Sequence, residues 1–106
     1  ELVKKRLVPA WQRVRARIEQ GAVRASLDLA RPLDHHEQCL SPSDFGFHNA
    51  LSDAGRVTFI DFEYAGRDDP AKLASDFCCQ PEIPVPAEQH EAFVTALARR
   101  LELGES

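Results

Sequence analysis

The stretch Leu40-Ser41-Pro42-Ser43-Asp44-Phe45-Gly46-Phe47-His48-Asn49-Ala50-Leu51, with Phe59-Ile60-Asp61-Phe62-Glu63 a few residues on, decides how this chain folds. From Gln38 to Phe62 short apolar runs are broken by turn residues. Asn49 to Ser52 and Arg56 to Phe62 flank Asp53-Ala54-Gly55, and Gly55 can take the positive backbone angle that a tight connection needs. This predicts a β-hairpin. In its second strand Val57, Phe59 and Asp61 alternate with Thr58, Ile60 and Phe62, so one face delivers Asp61 at the strand's end.

Outward from the hairpin the pattern becomes helical. Asp68-Asp69-Pro70 opens a helix, with an Asp cap and Pro at the first helical position, and Leu73, Phe77 and Cys78 supply its apolar stripe. That helix stops before Pro81. Pro81 to Pro86 holds three prolines in six residues and reads as an extended connector. Beyond it, Ala87 to Leu103 carries Phe93, Val94, Leu97 and Leu101 at helical spacing. Toward the N-terminus, Leu7, Trp11, Val14 and Ile18 form one stripe of a helix from about Leu2 to Gln20, bounded by Gly21. Pro9 predicts a kink or a helix start, since it removes one backbone bond and clashes with the turn before it. Ala22 to Leu29 reads as a second short helix closed by Arg31-Pro32. The elements together predict an α+β chain, mainly helical, with a single hairpin between helices. There is no internal repeat.

A length of 106 residues allows one domain or one lobe, and 43% hydrophobic with 28% charged residues is the composition of a globular chain. The formal net charge of -4 argues against nucleic-acid binding, which is built on clustered Lys and Arg. The basic region from Lys4 to Arg17 lies on a helical pattern and reads as a solvated face. No apolar run is long enough for a bilayer, so the expectation is no membrane and a cytoplasmic location. Cys39, Cys78 and Cys79 are an odd number with two adjacent, which reads as free thiols rather than a disulfide framework. The chain contains no Met and begins at Glu1 inside a helical pattern, which predicts a piece of a longer polypeptide.

Asp44 and Asn49 stand at the D-x-x-x-x-N spacing of kinase catalytic loops, and Asp61 follows on the strand beyond the hairpin. With Gly66 and the Asp68-Asp69-Pro70 helix start, the stretch from about Cys39 to Phe77 resembles the aminoglycoside phosphotransferase and choline kinase family, whose fold is that of protein kinases. The resemblance implies the C-terminal lobe of a kinase-like phosphotransferase over residues 1–106, its nucleotide-binding lobe lying elsewhere. It implies that Asp44 orients or deprotonates the acceptor hydroxyl. It further implies that Asn49 and Asp61 hold Mg²⁺, an ion that prefers such hard oxygen ligands, and that Glu63 is a further candidate ligand. Asp69 would cap the following helix, and Asp76 would bond to the catalytic loop. The co-substrates implied are ATP or GTP and a small acceptor such as an aminoglycoside, a sugar or an amino alcohol.

Two positions depart from the family pattern: Pro42 stands where a loop His is usual, and Ser43 where a Gly is usual. His48 could supply part of the missing bracing, against the plainer expectation of a partly exposed loop histidine. The Gly-rich loop G-x-G-x-x-G is absent, and Lys4, Lys5 and Lys72 are not in a strand context, so the piece alone is expected to be inactive and to self-associate through an uncovered apolar face. A competing class is a non-catalytic, pseudokinase-like binding or scaffolding module, and a third is a helical interaction domain in which the motif is accidental. His35, His36 and Cys39 lack the paired spacing of a structural zinc site, and no G-x-S-x-G elbow is present.

Overall fold

The computed structural model describes residues 1–102, so Leu103, the expected last residue of the C-terminal helix, lies outside the described residues. The chain divides into two compact units, Glu1–Pro32 and Leu33–Ser106. Among the described residues no helix is long and apolar enough to cross a membrane.

In the first unit a π-helical turn, Val3–Leu7, runs directly into α1, Val8–Arg24. Pro9 therefore sits in the first turn of α1, as a helix start there predicts, although the chain before it is already helical. The turn before it is widened, with the Val8 N–H donating to Val3 O, and a wider turn relieves the clash that a proline ring makes with the carbonyl four residues back. Gly21 is no boundary. The helix ends after Arg24, where Ser26 takes a left-handed φ of 55° and the Ser26 and Leu27 N–H groups donate to Val23 O and Ala22 O. These two bonds form a Schellman stop built on serine instead of glycine. No separate helix forms over 22–29.

The second unit holds two small antiparallel sheets. Strand β1, Cys39–Ser41, pairs with β4, Gly66–Asp68, and β2, Ala50–Asp53, pairs with β3, Arg56–Phe59. The hairpin turn is Ala54-Gly55, both at positive φ (48° and 79°), which matches the right-handed twist of the strands it joins. The second strand is shorter than expected and ends at Phe59. Asp61 turns off into a left-handed φ of 67°, so strand alternation does not deliver its side chain. The β1–β4 pair is unexpected: three-residue strands carry too little alternation to be read from sequence.

Helix α2, Pro70–Cys78, begins as its sequence predicts, with Asp69 Oδ1 accepting from Ala71 N at 2.8 Å and Pro70 at the first position. A 3₁₀ turn at Ala87–Gln89 leads into α3, His90–Glu102. The core lies where α2 and α3 meet the loop before β2. Phe77 stacks on Phe93 with centroids 4.2 Å apart, Phe45 packs on Phe77 at 5.1 Å and on Phe59 at 4.9 Å, and Phe47 meets Phe77 edge-on at 5.3 Å. Cys39, Leu73 and Val85 are buried as well, whereas Phe62 is exposed. Phe45 and Phe47 thus tie to the aromatic core a loop whose preceding residue, Asp44, is exposed. The chain is a mixture of helix and small antiparallel sheets, compatible with the α+β expectation.

Candidate functional site

The loop between β1 and β2 is shaped by local backbone chemistry. Pro42 fixes its own φ and keeps Ser41 extended, which ends β1. Ser41, 1% exposed, turns its hydroxyl to accept from Ser43 N at 3.1 Å. Ser43 then takes a left-handed φ of 71°, and Phe45 N reaches back to Ser43 O at 2.7 Å, leaving Asp44 at the apex of a three-residue turn. The left-handed region costs a non-glycine residue roughly 1 kcal/mol or more. Ser43 stands where the resembled family has Gly, and its backbone takes the angle that Gly adopts without strain.

Three side chains converge at this apex. The His48 Nε2–H donates to Asp44 Oδ1 at 2.8 Å, and Asn49 Nδ2 donates to Asp44 O at 2.9 Å and to Asp44 Oδ2 at 3.3 Å. A 3₁₀ turn over Phe47–Asn49, closed by Asn49 N on Gly46 O, brings the residues four and five positions after Asp44 back to it. The sequence spacing is therefore a loop geometry and not a strand alternation. Asn49 commits its nitrogen to Asp44, and its amide oxygen has no partner among the described residues.

Histidine 48 departs from expectation. Its side chain is only 8% exposed while that of Asp44 is 56% exposed, so the histidine is a buried brace beneath an open carboxylate. Gly46 makes its room: a Cβ there would sit 2.8 Å from His48 Nδ1 and 3.0 Å from Gln80 Cγ. The bracing seen here comes from behind Asp44 and not from position 42.

The two remaining acidic candidates are less engaged. Ile60 N donates to Asn49 O at 2.9 Å, so the hairpin ladder runs one bond past β3 and leaves Asp61 as the next residue. The Asp61 carboxylate is exposed and, among the described residues, forms no hydrogen bond or ion pair with Asp44 or Asn49. Glu63 is exposed as well. Among the described residues no group of three His, Cys, Asp or Glu side chains is placed to hold a metal ion. The donors that the resemblance assigns to Mg²⁺, the amide oxygen of Asn49 and carboxylates on Asp61 and Glu63, are of the right chemical kind.

Beside Asp44 opens a cavity of about 420 Å³, lined by Ser43, Tyr64, Lys72, Ser75, Asp76 and Gln80 among others. Lys72 Nζ lies 2.8 Å from Asp76 Oδ2 and 3.2 Å from Asp68 Oδ2. The hydrogen bond that it donates to Asp76, then that to Asp68, holds its amine above the ordinary lysine range. Asp68 is held below the usual carboxylate range, first by the Asp69 N–H and then by Lys72. Asp76 thus bonds to Lys72 and, among the described residues, not to the Asp44 loop, although it lines the same cavity. Lys72 lies on a helix and not a strand, and its four-residue offsets from Asp68 and Asp76 mark an ion-paired helix face. Compared with known proteins, the chain matches no family model, no curated protein and no solved structure.

Proposed function

We propose that the protein is a small-molecule phosphotransferase, in which Asp44 receives the acceptor hydroxyl. The observation that carries this reading is the braced, outward Asp44 carboxylate at the rim of an open polar cavity, with Asn49 folded back on it across a D-x-x-x-x-N loop. Phosphoryl transfer through a loose transition state asks a protein mainly for alignment and charge neutralisation. An acceptor in the cavity would set its hydroxyl against Asp44 Oδ2. The hydroxyl oxygen forms a bond to the γ-phosphorus of a nucleoside triphosphate, the bond from that phosphorus to the β,γ-bridging oxygen breaks, the nucleoside diphosphate leaves with the electron pair, and the hydroxyl proton passes to Asp44. Mg²⁺, when bound, would offset phosphate charge. Asn49 would present its amide oxygen to it, with Asp61 and Glu63 adding carboxylates from the turn after β3.

The Gly-rich loop and strand Lys that cover the phosphates in kinases are not in this sequence. In this reading other polypeptide supplies them, and the 106 residues alone transfer no phosphate. The test is magnesium-dependent transfer from ATP or GTP to a panel of amino sugars, sugars and amino alcohols by the longer protein that carries this segment. Asp44→Ala is expected to lower kcat about 10²–10⁴-fold, the range of a lost general base. No transfer to any acceptor and no nucleotide hydrolysis, with Asp44→Ala indistinguishable from wild type, would refute it.

A second reading, a non-catalytic module of the same descent, draws on the separation of Asp61 from the Asp44–Asn49 pair and on Pro42. It predicts that nucleotide with Mg²⁺ leaves the thermal midpoint of the longer protein unmoved, whereas the enzyme reading predicts a rise, because a ligand that binds only the folded state stabilises it.

A further inference from the structure

We infer that His48 is the positioning residue for Asp44, holding the carboxylate through Nε2–H so that Oδ2 faces the cavity; this deepens the phosphotransferase reading and rests on it. Three observations converge. The Nε2 to Oδ1 distance is 2.8 Å, and the donor is buried while the acceptor is open, so the hydrogen bond fixes an otherwise mobile surface side chain from its inner edge. The ring is itself confined, because Gly46 packs against its Nδ1 and Cε1 edge, closer than any Cβ would permit. The Gln80 amide nitrogen, 3.3 Å from His48 Nε2, is a second donor and so a packing neighbour of the ring, not a hydrogen-bond partner.

The protonation pattern follows from these partners. A carboxylate can only accept, so the 2.8 Å contact requires the hydrogen on Nε2. In the neutral ring this leaves Nδ1 as the lone-pair nitrogen, and that atom is buried with no hydrogen-bond partner among the described residues. Burying an unpartnered polar atom is unfavourable, and an apolar ring of the same size would fill the space without that penalty. Packing alone therefore gives no reason for histidine at this position. The Nε2–H bond to Asp44 does.

The consequence for the reaction is directional. Oδ1 is committed to His48 and Oδ2 meets only the longer 3.3 Å approach of Asn49, so the lone pairs of Oδ2 remain to take the acceptor's hydroxyl proton as its oxygen attacks the γ-phosphorus. Without His48 the carboxylate rotates about its exposed side-chain torsions and presents either oxygen.

Two substitutions separate donation from bulk. His48→Leu removes the donor, and His48→Gln keeps an amide N–H near the place of Nε2. In the longer protein His48→Leu is expected to lower kcat about 10–100-fold, as lost supporting hydrogen bonds around a site commonly do, with acceptor KM changed less than about twofold. His48→Gln should recover most of kcat. A wild-type enzyme with His48→Leu at full kcat, or with both variants equally low, would overturn the positioning role alone. A wild type without any phosphoryl transfer would overturn the underlying reading and the role together. An independent readout needs no activity: nitrogen-15 correlation spectra of the 106-residue chain should show His48 as the Nε2–H tautomer, with faster exchange of that proton in Asp44→Ala. An Nδ1–H tautomer would refute the assignment.

Discussion

Asp44, His48 and Asn49 show how a few local choices place one carboxylate. Pro42 ends a strand, Ser43 accepts a left-handed angle, Phe45 and Phe47 contact the aromatic core, and Asp44 just before them is left exposed. The same residue-scale logic separates the three thiols. Cys39 is buried, and burial first, then the negative charges of Asp68 and Asp69, pushes its thiol above the ordinary cysteine range. Cys78 is pushed up as well, by burial and then by Cys79, while Cys79 is exposed. Since the thiolate is the reactive form, a disulfide reagent at neutral pH should modify Cys79 first and Cys39 last. Cys79→Ser should abolish the fast phase and leave the slow one. A fast phase that survives in Cys79→Ser, or that disappears in Cys39→Ser, would contradict this order.

At the scale of elements, what could be read from the sequence was what local chemistry decides. The Asp69 cap with Pro70, the approximate hairpin, and the loop that joins Asp44 to Asn49 each depend on residues within a few positions of one another. The burial of His48 depends on Gln80 and on a close approach by Gly46, and no local pattern encodes that distance. The β1–β4 pairing is hidden for the same reason. Gly21 misled because glycine is only the commonest way to stop a helix, and here Ser26 supplies the left-handed residue. Asp61 lies two residues past the end of β3, where the left-handed backbone breaks the strand alternation.

The hairpin turn offers a test at this scale. Ala54 and Gly55 both have positive φ, but only Gly55 does so without strain. Asn tolerates the left-handed region and is favoured at the first position of such turns. Ala54→Asn should therefore raise stability by about 0.5–1 kcal/mol, and the β-branched Ala54→Val should lower it. Urea unfolding would show this as opposite shifts in midpoint at an unchanged slope. Shifts in the same direction would mean that Ala54 does not occupy the left-handed region.

At the scale of the whole molecule, the feature with the widest physical consequence is apolar surface. Leu7, Trp11, Val14 and Ile18 lie along one stripe of α1 and every one is exposed, Trp11 at 61%. Soluble chains rarely leave contiguous apolar surface uncovered, and such surface drives association in proportion to the area withdrawn from water. The charge on the chain does little to oppose this, since a net -4 over 106 residues is modest and salt screens it. The 106-residue chain is therefore expected to associate as its concentration rises, by light scattering, and to do so more strongly in high salt. Trp11 is the only tryptophan, so its fluorescence reports on this stripe alone. Its emission should move to shorter wavelength over the same concentration range. Val14→Glu with Ile18→Glu places two carboxylates on the stripe, and should keep the chain monomeric with red-shifted emission, at little cost to the fold because both positions are exposed. A wild-type chain that stays monomeric with concentration-independent emission would show that the stripe does not drive self-association. Association that persists in the double variant would locate the sticky surface elsewhere.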